Sequence, residues 1–176
     1  GGGDTAMDCV RTAIREGAES VTCLYRRDDV NMPGSRKEYL NAVEEGVIFL
    51  FRAAPLGIDI DSNQRLVGVD AIRTDLGEPD ADGRQKVSEV AGSEHCVKAD
   101  VVIMALGFDI EKAPFIEKAG AAVGKWGEVI VDPGTFRTAH PKIFAGGDCQ
   151  RGADLAVTAA ADGRQAALEV IQALLG

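Results

Sequence analysis

Gly1-Gly2-Gly3-Asp4-Thr5-Ala6 opens the chain, and the reading of these six residues decides the fold. They fit G-x-G-x-x-A, the turn that joins a strand to a helix in dinucleotide-binding units. The first glycine permits a tight turn out of a strand. Gly3 lets backbone approach a pyrophosphate, and Ala6 is small enough for the helix to pack on the sheet. The free N–H groups and partial positive charge at the helix start suit phosphates. A flexible glycine tail would carry the same letters, so the residues that follow must separate the two readings. Ala6, Met7, Val10, Ala13 and Ile14 recur at helical spacing, and Gly17 is a natural stop. Residues 21–25 then read as a buried strand ending in Arg26-Arg27, at the distance the motif requires. A further strand is expected ahead of Gly1.

In an NAD-binding unit the second strand ends, about 20 positions after the glycines, in an Asp or Glu bonded to the ribose 2′-OH. Arg26-Arg27 stands there instead. A guanidinium fork matches a 2′-phosphate and offers nothing comparable to a bare hydroxyl, so the pair points to NADP(H). Two solvated arginines at a strand end are the plainer alternative. Asp28 and Asp29 follow directly and are placed to neutralise part of the pair; Arg36 is a candidate for a further phosphate contact.

Working outward, Met32-Pro33-Gly34 leads to a short helix around 37–45, closed by Gly46, and to a second apolar strand at 47–51. Residues 66–74 alternate loosely, 78–84 are polar and carry Pro79 and Gly83, and pairing resumes at His95–Lys98. This pattern predicts an antiparallel excursion with a mobile tip. Residues 101–106 are apolar enough for a strand covered on both faces. A short helix is expected at 113–119, strands at 128–131 and 143–145, and a long helix over about 155–175. Alternating strands and helices favour a doubly wound α/β sheet.

Ile143-Phe144-Ala145-Gly146-Gly147-Asp148 is a second nucleotide signal, with Thr138 upstream. An acidic side chain at a strand's carboxyl end can accept hydrogen bonds from a sugar-like diol, and a preceding glycine leaves room for it. The following helix can turn its first N–H groups toward an electron-rich carbonyl. A plain strand–turn–helix connection with a turn aspartate fits the local pattern equally well.

Composition bounds the remaining classes. The 176 residues suffice for one domain, or one domain and part of another. An apolar fraction of 45% and a mean hydropathy of -0.02 are those of a soluble globular protein. A net charge of -9 and a pI near 4.7 argue against a nucleic-acid surface and against anionic lipid. No apolar run reaches membrane-spanning length, and no secretory leader is visible. Cys9, Cys23, Cys96 and Cys149 match no zinc, iron–sulfur or disulfide framework and are expected to be reduced, mostly buried thiols of a cytoplasmic protein. The lack of C-x-x-C counts against dithiol chemistry of the thioredoxin reductase kind. His95 and His140 read as structural or solvated, and no metal ligand set or general base is identified.

Three stretches appear in order: residues 1–9 (Gly-Gly-Gly-Asp-Thr-Ala-Met-Asp-Cys), Tyr25-Arg26-Arg27-Asp28 followed by Asn31-Met32-Pro33-Gly34-Ser35, and residues 143–149. Together they resemble the small (beta) subunits of NADPH-dependent glutamate synthases and related FAD/NAD(P)-binding oxidoreductases, nearly end to end. NADPH–ferredoxin reductase subunits and the electron-input domains of dihydropyrimidine dehydrogenase share much of the pattern. The resemblance implies a Rossmann-like NADP(H)-binding domain at 1–107, lacking its first strand, with the antiparallel excursion inside it. Residues 108–176 would be the C-terminal part of a split FAD-binding domain. Gly1, Gly3, Asp4, Thr5, Ala6, Arg26 and Arg27 would hold NADPH. Ala105-Leu106-Gly107 would be the crossing back, although the family more often has Thr where Leu106 stands. Asp148, beside Gly147, would bind the FAD ribityl chain, and Leu155 would present its backbone N–H toward the flavin ring.

The resemblance further implies hydride transfer from NADPH to FAD and single-electron release to iron–sulfur centres, feeding glutamate formation in a large partner subunit. The family's first FAD fingerprint and its iron–sulfur cysteines lie upstream of the NADP domain. The chain is therefore expected to be a fragment of such a subunit, inactive and without FAD when isolated. The alternatives are the electron-input subunit of a related enzyme, a non-catalytic nucleotide-binding module, or a scaffold that has lost its ligands.

Overall fold

The computed structural model describes residues 1–81 and 83–175. Asp82, inside the expected mobile tip at 78–84, and Gly176, the last residue of the expected second domain, lie outside the described residues. The chain divides into two compact units, Gly1–Gly107 and Phe108–Gly176.

In the first unit, α1 (Asp4–Arg15) buries Ala6, Met7 and Val10, the inward stripe of an amphipathic helix. β1 (Thr22–Tyr25) follows, then α2 (Arg36–Glu44) and β2 (Ile48–Phe51). β1 and β2 pair in parallel, from Thr22↔Ile48 to Tyr25↔Phe51. Parallel neighbours need a crossover, and α2 with its leading loop supplies it. Cys23, Ala42, Val47 and Ala105 complete one core with the α1 stripe. Charge fastens the helix pair from outside. Arg11 bonds Glu38 and Glu45, the latter at 2.8 Å, and Arg15 reaches Glu45 at 2.5 Å.

The excursion is an antiparallel sheet of β3 (Ala53–Ile60), β4 (Leu66–Pro79), β5 (Gln85–Glu89) and β6 (His95–Lys98). β4 is its spine: it pairs with β3 and β6 along its first half and with β5 beyond Arg73. Of these strands, β6 and the first part of β4 were expected. Pro55 and Gly57 flank a register shift in β3 and mask its strand pattern. β5, Gln-Lys-Val-Ser-Glu, has no apolar face to alternate.

Residues 101–106 are not the covered strand that their composition predicts. They join no ladder among the described residues, and Val101, Ile103, Met104 and Leu106 are exposed, with only Ala105 buried. A run that apolar becomes a strand only where neighbours pair it on both sides, and among the described residues none does.

The second unit carries α3 (Pro114–Lys118), α4 (Asp148–Arg151) and α5 (Ala156–Leu175). The strands expected at 128–131 and 143–145 are reduced to single bridges, Val123↔Val129 and Arg137↔Phe144. Turns at Gly124–Gly127 and at 132–136, with Pro133, and Pro141 between the second pair, stop each ladder after one rung. No helix among the described residues is long and apolar enough to cross a membrane.

Candidate functional site

The opening glycines form a loop against which a second loop is stacked. Gly3 precedes α1 in extended conformation, and its carbonyl accepts the Ala6 and Met7 N–H groups at 3.0 and 3.2 Å. Ala6 is buried and Thr5 half-buried on the first helical turn. The loop at 31–35 returns across them. Gly34 N–H donates to the Gly2 carbonyl at 3.1 Å, and Ser35 N–H donates to Asp4 Oδ1 at 2.7 Å. Asp4 thus shapes the loop. A Cβ on Gly34 would lie 3.0 Å from the Gly3 carbonyl carbon, and one on Gly2 would press into the Tyr25 ring at 2.6 Å. A Cβ on Gly1 would collide with the Ala105 carbonyl. Gly3 is different: its nearest neighbour would be Pro33 Cγ at 4.0 Å. Its face is open, while Gly2 and Gly34, which motif reading passed over, are the tightly packed positions.

Beside this stack stand the arginines. Arg26 is exposed and Arg27 half-buried; the Arg27 Nε is buried and has no hydrogen-bond partner among the described residues. Asp28 and Asp29 do not neutralise the pair as expected. Asp28 accepts Asn31 Nδ2 at 2.7 Å and Asn31 N–H at 3.1 Å and lies 3.8 Å from Arg52. The Asn31 side-chain bond is the main reason that the Asp28 carboxyl sits below its usual range. Asp29 pairs with Arg36 at 3.1 Å, and that guanidinium lies 4.5 Å over the Tyr39 ring. Arg36, the candidate extra phosphate contact, is therefore already engaged. Arg26 and Arg27 form no ion pair among the described residues. Burial pushes the Tyr25 phenol up, against the opposing charges of Arg27 and Arg26.

In the second unit the Gly146-Gly147-Asp148 turn is tied to α5. Gly147 has φ 75°, a conformation that suits glycine, and its N–H donates to Asp162 Oδ2 at 3.0 Å. Arg151 grips the same carboxylate through Nε at 2.8 Å and Nη2 at 2.7 Å. Asp162 is buried, and Arg151, then the Gly147 N–H, hold its carboxyl below the usual range. Neither Asp162 nor Arg151 was singled out from sequence; the one signal was a lone acid within Ala159-Ala160-Ala161-Asp162-Gly163. Asp148 is exposed at the start of α4. The Leu155 N–H, expected to face a flavin, donates to Asp154 Oδ1 at 2.6 Å. Gly107 has φ 83° and open space around it.

The remaining chemistry-bearing residues are mostly structural. The Thr138 hydroxyl bonds the Ile143 carbonyl at 3.0 Å, and His140 Nδ1 accepts the Lys142 N–H at 3.2 Å. His95 Nδ1 lies 3.0 Å from the Ser93 carbonyl. The four cysteines are free, but they are not mostly buried: Cys23 is buried, Cys9 half-buried, and Cys96 and Cys149 exposed. Asp59, Asp70 and Cys96 gather within 4.8 Å on the outer sheet, a grouping from three strands that linear spacing hides. Partial desolvation, then the charges of Asp59 and Asp70, push the Cys96 thiol up.

The family described as pyridine nucleotide-disulphide oxidoreductase matches residues 1–163. Among curated proteins, the glutamate synthase [NADPH] small chain of Escherichia coli K12 is 55% identical over 170 residues, 95% of this chain and 36% of that protein. The Azospirillum brasilense small chain is 53% identical over 168 residues, 95% of this chain and 34% of its own length. The NADPH-Fe(3+) oxidoreductase subunit beta of Geobacter sulfurreducens is 38% identical over 192 residues, 98% and 28%. The chain thus spans about a third of the length of these relatives. Among solved structures, T. acidophilum thioredoxin reductase matches with a TM-score of 0.70 at 20% identity, over 100% of this chain and 51% of that one. FprA from Mycobacterium tuberculosis matches with 0.73 at 15% identity, over 99% and 51%. These likenesses establish the fold, a mixed α/β oxidoreductase fold of the thioredoxin reductase type. With the family match spanning nearly the whole sequence, the chain belongs to the pyridine nucleotide-disulphide oxidoreductase family.

Proposed function

We propose that residues 1–107 bind NADP(H) and that 108–176 are the closing part of a split FAD-binding domain, in a flavoprotein of the NADPH-dependent glutamate synthase kind. The observation that carries this reading is Arg26-Arg27, two guanidinium groups without ion pairs among the described residues, beside a glycine loop packed for close backbone approach. The residues present fit the nucleotide. The open face at Gly3 leaves space for a pyrophosphate against the first N–H groups of α1, and the orphaned Arg27 Nε offers a donor to a 2′-phosphate. For flavin, the exposed Asp148 carboxylate beside Gly147 suits a diol, and the Leu155 N–H reaches a ring carbonyl only by leaving Asp154.

When bound, NADPH would supply hydride-donor chemistry, and FAD would link two-electron to one-electron transfer toward iron–sulfur centres. The chain's own residues bind and orient. Gly1, Gly3, Thr5 and Ala6 form the turn and helix start, Asp4 holds the covering loop, and Arg26 and Arg27 read the phosphate. Gly147 and Asp148 place the ribityl chain. None is asked to move a proton. The partners of this reading are the rest of the same subunit and a large glutamate synthase subunit in the cytoplasm. The Geobacter relative supports a second reading, an electron-input subunit with a different acceptor; both share the NADPH site.

The test uses the intact flavoprotein. Arg27→Ala or Arg26→Ala weakens NADPH binding roughly ten-fold or more, the worth of one charge-assisted phosphate bond, and spares NADH. Equal losses for both nucleotides overturn the assignment. Asp148→Ala lowers retained FAD and leaves NADPH affinity alone; unchanged flavin content would make Asp148 a turn residue only.

A further inference from the structure

We propose that the antiparallel sheet positions the 2′-phosphate site, through Thr74 and Gln85, and so helps to set the preference for NADPH over NADH. The inference rests on the NADP(H) reading above.

The segment that carries the arginines is clamped at both ends by the sheet. At its start, the Thr74 hydroxyl on β4 donates to the Arg26 carbonyl at 2.7 Å. Thr74 is only 2% exposed, so this is an interior bond. The Thr74 N–H donates to the Arg52 carbonyl at 2.8 Å, and the Arg52 N–H donates to the Arg27 carbonyl at 2.9 Å. Both arginine carbonyls are therefore held, one by β4 and one by the residue linking β2 to β3. Arg52 takes φ 54°, a left-handed conformation that side chains other than glycine rarely adopt. That conformation is maintained where the chain turns from the parallel pair into the antiparallel sheet, with its N–H on Arg27.

At its end, Asn31 is shared. Its Nδ2 donates to Asp28 Oδ1 at 2.7 Å and to Gln85 Oε1 at 2.9 Å, a contact across 54 residues of sequence. Gln85 Nε2 donates to the Gly77 carbonyl at 2.9 Å, which fixes the amide with its oxygen toward Asn31. The Asn31 carbonyl in turn accepts the Tyr25 hydroxyl at 2.7 Å. Residues 25–31 are thus pinned by β4 at one end and by the start of β5 at the other, with Arg26 and Arg27 between.

Geometry makes this matter for specificity. A guanidinium fork gains most from phosphate when its two N–H vectors are aimed, so a small displacement of its backbone costs affinity. The pyrophosphate contacts at Gly3 and α1 do not pass through Thr74 or Gln85. Loosening the clamp therefore penalises the nucleotide with the 2′-phosphate and spares the one without it. A sheet that only stabilised the fold would affect both alike.

The experiment compares Thr74→Val, Thr74→Ser and Gln85→Leu with Arg27→Ala in the intact flavoprotein, measuring KM and kcat with NADPH and with NADH, and bound flavin. Thr74→Val keeps the shape and loses the hydroxyl. It should raise KM for NADPH roughly five-fold, the worth of about one neutral hydrogen bond, with kcat and the NADH values unchanged. Thr74→Ser restores the wild-type value. Gln85→Leu moves in the same direction by about two-fold, as befits a half-exposed bond. If Arg27→Ala is selective for NADPH while Thr74→Val and Gln85→Leu change neither nucleotide, or both equally, the positioning role is overturned and the NADP(H) site stands. If Arg27→Ala itself affects both nucleotides equally, the site and the inference fall together. Should Thr74→Val not fold, Gln85→Leu alone decides on the same criteria.

Discussion

Two glycine turns in this molecule are close-packed, and the second is also tied to a buried carboxylate. In the first unit, Gly1, Gly2 and Gly34 are locked by volume: backbone lies on backbone and on the Tyr25 ring, leaving no room for a methyl group. In the second unit, Gly146 and Gly147 are also close-packed, with a Cβ falling 2.9 Å from Asp162 Cβ and 3.2 Å from Ala159 Cβ respectively, and a buried carboxylate adds charge by gathering an N–H from Gly147 and a fork from Arg151. Contact of backbone with backbone or with a ring has nothing to titrate, although Asp4 also ties the covering loop through the Ser35 N–H. The charged tie of the second turn weakens most when Arg151 is removed, because the buried Asp162 carboxylate is then left uncompensated.

The sharpest way to break the comparison is at Asp162. Asp162→Ala takes from the Gly147 N–H its buried partner and leaves the Arg151 guanidinium with Asp154 at 3.6 Å. The melting transition of the second unit should fall by roughly 10 °C or more. Trypsin should cut faster after Arg151, with the first unit unaffected. Calorimetry and timed proteolysis check both parts. A melting curve like that of the native chain would mean that close packing alone holds the turn.

Next comes the volume lock. Gly2→Ala pushes a methyl into a ring tethered through its hydroxyl to Asn31, and should cost about 1–3 kcal/mol. Gly3→Ala meets nothing closer than Pro33 and has no positive φ, so it should cost little stability. Yet it fills the open face and should weaken NADPH binding. Denaturant unfolding paired with nucleotide titration separates the two glycines. Equal stability losses would contradict the packing described here.

That contrast also shows what was legible in the sequence. The pattern of α1, the apolar runs of β1 and β2, and the long last helix come from local periodicity, which single residues report faithfully. Gly1 and Gly3 were read through their place in a motif. Gly2 and Gly34 were not, because their tightness depends on Tyr25 and on each other's loops, distant in sequence. Thr74 and Gln85 are silent for the same reason: a hydroxyl in a strand and an amide at a hairpin mean nothing until their partners are placed. The misread stretch, 101–106, failed in the other direction. Its composition describes a buried strand, but burial belongs to the neighbours and not to the residues themselves.

A pH scan sharpens the comparison further. Arg11 and then Arg15 hold the Glu45 carboxyl at about 2, against an ordinary 4.5. A carboxyl lowered on folding adds stability above its unfolded value, and that stability drains as pH falls toward the folded one. The α1–α2 contact should therefore loosen between about pH 4.5 and 2, and Asp162, also lowered, adds to the same acid limb. Melting temperatures across this window should decline in the native chain and decline less in Glu45→Gln. An identical slope in both would remove Glu45 from the acid response.

The smallest effect tests whether burial, and not charge alone, gives the Asp162 pair its weight. Arg15 and Arg11 both reach Glu45, but their side chains are 60% and 18% exposed. An exposed pair gains little over its separately hydrated partners and gives up side-chain freedom to form. Arg15→Ala should therefore shift the melting temperature by no more than roughly 1 °C, and less still in high salt. Arg11→Ala removes the fork between α2 and its end at Glu45 and should do visibly more, while remaining below Asp162→Ala. The order Asp162, Arg11, Arg15 follows burial. If Arg15→Ala were to match Arg11→Ala, the count of charges would govern the helix pair, and the distinction between its outer network and the buried carboxylate of the second unit would collapse.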